Sequence, residues 1–271
     1  MRAEAAPRPL RQFPSRVLVA LTLAVGLLLT GCVSGTNPAS GGGPERASPE
    51  ARLRAHLDLA EGYIRIGDLN RARLPLDRAL EIDARSWEAH DLLGRIHQQE
   101  GDIALAERHF RLATRYDSDN PRVRNDYGVF LFEQGRYDEA VEQLRRAIDD
   151  PNNPQRALAY ENLGLASLRE GSRTEARNAF ARAVMLDEKR STSLLELALL
   201  AYADADYPQS AAYYQRFRDL ARQTPRSLWL GIRLARIAED GNAEASYALQ
   251  LRNLYPLSDE YRIYQESRGD G

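Results

Sequence analysis

The residues most able to do chemistry are few: one cysteine, Cys32, and four histidines, His56, His90, His97 and His109. A lone thiol can close no disulfide within the chain and build no cysteine metal cage. In an exported protein such a thiol is removed, hidden or modified, and its position decides which. His90 and His97 stand seven residues apart and so share one face of a helix, a spacing that suits either a metal or simple packing. His97 stands 34 residues after Tyr63 and occupies the same repeat position, a packing slot, which favours packing. The chain has no phosphate-cradling G-x-x-x-x-G-K-[ST], no G-x-S-x-G nucleophile elbow and no H-E-x-x-H. Its carboxylates are spread at helical spacing over solvent faces. These residues predict no enzyme, no metal, no cofactor and no small-molecule substrate. A formal net charge of −2 lacks the basic excess of a nucleic-acid footprint, so no nucleic-acid partner is expected.

Cys32 gains its meaning from what precedes it. Arg2, Arg8, Arg11 and Arg16 form a basic leader, and Val17 to Leu29 form an apolar run. This order is that of a secretory signal peptide. The run is shorter than the roughly 18 apolar residues of a spanning helix. The stretch Leu29-Thr30-Gly31-Cys32 resembles the lipobox of bacterial lipoproteins. Small residues there let a peptidase reach the bond, and the thiol accepts a diacylglycerol. Residues 1–31 are thus expected to be a cleaved signal peptide and Cys32 the lipidation site, palmitate being among the acyl chains. Val33 stands where Asp would signal inner-membrane retention, which favours the periplasmic face of the outer membrane. Residues 32–50, rich in Gly, Ser and Pro, read as the lipidated cysteine and a flexible tether.

A long period governs the rest. Gly67, Gly101 and Gly135 are 34 residues apart, and Gly171 follows 36 later, beyond a turn lengthened at Asp149–Pro154. Ala205 and Asp240 continue the phase at spacings of 34 and 35. Such a period means stacked supersecondary units. Within them, Tyr160-Glu161-Asn162-Leu163-Gly164 followed by Gly171, Ala176, Phe180 and Ala183 resembles the tetratricopeptide pattern. So does His90-Asp91-Leu92-Leu93-Gly94 followed by Gly101, Ala106, Phe110 and Ala113. The expected fold is all-α: a right-handed superhelical solenoid of about six helix-turn-helix repeats over residues 51–258, with 259–271 a tail or capping helix. Gly94, Gly128 and Gly164 lie mid-helix, where glycine costs about 1 kcal/mol against alanine. A cost repeated in phase implies close helix approach, with Ala106, Ala140 and Ala176 as the small residues opposite.

In this repeat family the first helix of each unit lines a concave face. Phase places Leu158, Leu165 and Leu168 there in unit four, Leu195, Leu199 and Tyr202 in unit five, and Leu230, Leu234 and Ile237 in unit six. Earlier units contribute Glu61, Arg65, Asp91, Arg95, Gln98 and Asn125. The groove is therefore predicted polar near the tether and apolar beyond it. The leucines could hold an amphipathic partner segment or pack between repeats.

The mature chain is similar to the type IV pilus biogenesis lipoproteins, the secretin pilotins of the PilF/PilW family. The residues that carry this are Asn125 to Ala140, Tyr160 to Leu168, and above all Ser227-Leu228-Trp229-Leu230-Gly231-Ile232-Arg233-Leu234-Ala235 with Leu251-Arg252-Asn253-Leu254-Tyr255-Pro256. That last unit departs from the general repeat consensus. The resemblance implies an outer-membrane lipoprotein that binds the pilus secretin subunit and promotes its outer-membrane localisation and multimerisation. The alternative is a repeat-built adaptor for another envelope machine, such as a cell-wall hydrolase scaffold or outer-membrane protein assembly.

Overall fold

The computed structural model describes residues 47–269, which form thirteen helices. Twelve pair as hairpins: α1 (Pro49–Arg65) with α2 (Leu69–Ile82), α3 (Trp87–Glu100) with α4 (Ile103–Tyr116), and α5 (Pro121–Glu133) with α6 (Tyr137–Ala147). They continue as α7 (Arg156–Glu170) with α8 (Arg173–Leu186), α9 (Ser191–Ala203) with α10 (Tyr207–Leu220), and α11 (Pro225–Ile237) with α12 (Gly241–Leu254). Each pair also packs on the next, and α13 (Asp259–Gly269) lies against α11 and α12. This is an all-α stack of six helix-turn-helix repeats. The expected signal peptide, Cys32 and the expected tether as far as residue 46 lie outside the described residues.

Local sequence explains the hairpins. Each first helix ends in a residue with left-handed backbone: Gly67, Gly101, Gly135, Gly171, Ala205 and Glu239, with φ between +53° and +102°. This geometry lets amides beyond the helix reach back to its last carbonyls. Asp68 N–H, for example, donates to Tyr63 O at 2.9 Å, and Asp102 N–H to His97 O at 2.9 Å. In four of the six units the side chain of the following residue caps the second helix. Asp68, Asp102, Asp206 and Asp240 each accept a side-chain hydrogen bond from the amide three residues on.

The sixth unit corrects the phase read from the sequence. Asp240 is not the turn residue but the cap, and Glu239 takes the left-handed turn, so the spacing from Ala205 is 34. The inner-face positions of α11 therefore move back by one residue. Leu230 is fully buried and Leu234 packs against the core. Trp229, Arg233 and Arg236 take the inner positions instead.

Small residues set the helix spacing within a pair. A Cβ added at Gly164 would meet the Phe180 ring at 2.5 Å, and one at Gly128 would meet Leu144 at 2.7 Å. At Gly94 the Phe110 ring stands at 3.0 Å. Ala106, Ala140 and Ala176, from the facing helices, are fully buried. The wedge so formed is filled by Phe110, Phe130 and Phe180, also fully buried. Gly231 makes a further close approach, to Tyr214 and Tyr247, at a position off the repeat pattern. The lengthened turn between α6 and α7 is tied by its side chains: Asn153 Nδ2 donates to Ala147 O at 3.1 Å, and Arg156 Nε to Ile148 O at 2.9 Å.

Candidate functional site

The odd-numbered helices present one residue per unit along a row: Glu61, Arg95, Val129, Leu165, Leu199 and Arg233. Around this row the first half of the stack is polar. Arg122 of α5 pairs with Glu61 of α1 at 3.1 Å, and its Nε stands 3.8 Å from Asp91 of α3. Gln98 donates to Glu133 at 2.6 Å, and Asn162 donates to Asn125 at 2.8 Å. These bridges join neighbouring units side chain to side chain. The last two border a cavity of about 490 Å³ lined by Arg95, Gln98, Asn125, Asp126, Glu133 and Leu158, among others.

Asp91 lies at the floor of this region, fully buried, and among the described residues neither of its carboxylate oxygens has a hydrogen-bond donor. Burial first, and the neighbouring Asp126 carboxylate second, hold its carboxyl well above the ordinary range, against the opposing pull of Arg122.

Toward the C-terminal end the face becomes apolar. Val129, Phe132, Leu144 and Leu165 line a cavity of about 180 Å³. Leu165, Leu168, Leu199 and Tyr202 are partly exposed and rest on the core of α8–α11. Leu195, expected on the groove, belongs instead to that core and is 9 % exposed. Its α9 neighbours Leu194 and Ala198 are fully buried beside it, so repeat-to-repeat packing consumes this leucine. Packing between repeats, one of the two roles expected of the leucines, holds for Leu195, while Leu165, Leu168, Leu199 and Tyr202 keep part of their surface exposed.

Two buried acids tie repeats together here. Glu161 of α7 accepts from Ser193 N–H at 3.1 Å and Ser193 Oγ at 2.8 Å, joining unit four to unit five. Glu196 of α9 pairs with Arg226 of α11 in a two-pronged bond. Sequence spacing offered no sign of either.

Three of the four histidines gather in unit two. His90 Nδ1 and His109 Nδ1 are 3.0 Å apart, and His97 stacks on His109 with ring centroids 5.4 Å apart. His97 is 7 % exposed and fills a packing slot. Burial, with the positive charges of protonated His90 and His97 and of Arg108, pushes His109 down to about 4. Burial likewise lowers His90. Among the described residues no group of three His, Cys, Asp or Glu is arranged to hold a metal. No helix there is long and apolar enough to cross a membrane.

Known proteins of the same build are close at hand. Residues 92–157 and 131–193 match the tetratricopeptide repeat family. The chain is 40% identical over 255 residues to the type IV pilus assembly protein PilF of Pseudomonas aeruginosa, covering 93% of this chain and 99% of that one. A solved structure of Pseudomonas aeruginosa PilF superposes with a TM-score of 0.79, covering 81% of this chain and 99% of that one. The crystal structure of PilW, a widely conserved type IV pilus biogenesis factor, superposes with a TM-score of 0.67 at 23% identity, covering 79% of this chain and 98% of that one. At that identity the PilW likeness speaks for the fold alone. Identity at 40% along almost the whole relative does more: the chain is a tetratricopeptide-repeat protein belonging to the PilF family of type IV pilus assembly proteins.

Proposed function

We propose that this protein is an outer-membrane lipoprotein, anchored through lipid on Cys32, that binds a type IV pilus secretin subunit and promotes its outer-membrane localisation and multimerisation. The single observation that carries the pilus assignment is the 40% identity to PilF across 99% of that protein's length. The leader, the apolar run and Leu29-Thr30-Gly31-Cys32 support the anchor. The row from Glu61 to Arg233 supports a binding role, because a polar-to-apolar face along stacked helices suits a protein segment. The protein works by holding a partner and not by transforming a substrate. Lipoprotein sorting carries the anchored chain, and the repeats carry the secretin with it.

The test uses a strain lacking the gene. Its unboiled membranes are run on a denaturing gel and examined for the heat-stable secretin multimer. Loss of the multimer, restored by the wild-type gene, is the expected result. An unchanged multimer overturns the proposal and assigns the repeats to another step of pilus assembly.

A further inference from the structure

Among the described residues Arg233 is a cation held in place without a counter-charge. Its guanidinium lies 4.3 Å from the Tyr202 ring centroid and 5.6 Å from that of Trp229. Its neighbours on the same helix face are neutralised: Arg226 pairs with Glu196, and Arg236 pairs with Glu244 at 2.8 Å. Arg233 has no carboxylate partner among the described residues, and its Nε is buried with no acceptor. Burial pulls its pKa below the ordinary arginine value, Tyr202 opposes this, and the Arg226 charge adds to it. Removing a charge from water is costly unless it is paired. Aromatic faces offset part of that cost and fix the plane of the guanidinium. A fixed plane leaves the edge N–H groups as a preformed fork for a carboxylate, the geometry in which arginine binds most strongly.

The surroundings say what accompanies the carboxylate. Arg233 ends the row that runs through Val129, Leu165 and Leu199, with Leu168 and Tyr202 alongside, all apolar and partly exposed. From these we infer that the face made by the first helices of units four to six takes a protein segment with apolar side chains and one acidic side chain, whose carboxylate docks on the Arg233 fork between Tyr202 and Trp229. This rests on the reading above that the partner is the secretin, and it names the chemistry of the docked segment.

The experiment uses the full chain in detergent and the purified secretin subunit as probe. Arg233→Met keeps the apolar stem and removes the charge. The expected result is secretin binding weakened roughly tenfold, the worth of one charge-assisted fork, with no fall in Tm. A structural role for Arg233 would instead lower Tm and leave affinity unchanged, which overturns the inference. Arg233→Lys restores a point charge without the fork, and part of the affinity with it. The new amine also permits carbodiimide coupling, which joins it to a neighbouring carboxylate as an amide with loss of the carboxylate oxygen to the urea by-product. Lys189 is the chain's one native lysine, so Lys189→Arg clears the background. An amide bond between position 233 and an Asp or Glu of the secretin confirms the contact. Coupling to a carboxylate of this chain itself, or no coupling while binding persists, overturns it in favour of an internal occupant or a different anion such as a lipid phosphate. If wild-type chain fails to bind the secretin at all, the functional reading falls and the inference with it. If wild type and Arg233→Met bind alike, only the inference falls.

Discussion

The Phe180 ring occupies the space that a side chain at position 164 would need, its Cε1 lying 2.5 Å from where a Cβ on Gly164 would sit. Both helices of unit four are held at that distance, with Leu163 and Ala166 buried to either side of the glycine. Gly164→Ala therefore forces Phe180 from its slot, although alanine is the better helix former. The expected cost is about 1–3 kcal/mol, typical of overpacking, measured by chemical denaturation. Phe180→Leu in the same chain should return part of it, because the shorter side chain makes room for the methyl.

Ala205 and Glu239 adopt φ of +60° and +53° where the first four units have glycine. An L-residue pays roughly 1–2 kcal/mol for that backbone, and glycine's extra freedom in the unfolded chain returns only part of it. Glu239→Gly should raise stability by about 0.5–1 kcal/mol, and Ala205→Gly likewise. Thermal unfolding of the two single variants and the double variant checks both the sign and the additivity expected of sites in separate turns.

The His90–His97–His109 cluster makes unit two sensitive to acid. His109 falls to about 4 when folded, through burial first and then the charges of His90, His97 and Arg108. It titrates near 6.5 when unfolded. The unfolded chain therefore binds more protons between these values. Stability from the neutral cluster is complete above about pH 6.5 and is lost as pH falls toward 4. His109→Gln should flatten the Tm-against-pH curve in that window. An unchanged curve would place the acid sensitivity elsewhere.

Glu161 links two repeats through both the amide and the hydroxyl of Ser193. Glu161→Ala leaves a buried N–H without an acceptor, at a cost of about 1–3 kcal/mol. Because repeats are stabilised chiefly by their neighbours, the loss should appear as earlier hydrogen exchange in α9 and α10 than in α3 and α4. Uniform loss of protection would mean that the stack unfolds as one unit.

If Cys32 carries the anchor, Cys32→Ala should move the protein out of the outer-membrane fraction while leaving its helical signal intact. Continued outer-membrane fractionation of that variant would assign location to another determinant.

The architecture was legible because its physics is local and repeated. A left-handed turn every 34 or 36 residues, an Asp to cap the second helix in four of the six units, and a mid-helix glycine against a bulky side chain of the facing helix in three each leave a mark at a fixed position. Once the glycine turns of four copies agree in phase, helix pairing follows from side-chain periodicity. The glycine contacts at positions 94, 128 and 164 were accordingly foreseen, and each meets the facing helix.

What the tertiary structure decided is everything that depends on one residue of register or on partners distant in sequence. No glycine marks the sixth turn, so sequence spacing chose Asp240 and turned α11 one position, bringing leucines to the inner face where Trp229, Arg233 and Arg236 stand. One helical residue is about 100° of rotation, enough to exchange an apolar face for a basic and aromatic one. The Glu161–Ser193 tie, the Arg226–Glu196 pair and the third histidine of unit two arise between helices, where spacing within a helix carries no information. The sequence by itself determined which helices form and how they pair, because those choices are made by turns and caps a few residues long. Which side chains are consumed by packing and which, like Arg233, are left half-buried with no counter-charge among the described residues was settled only when six repeats closed on one another.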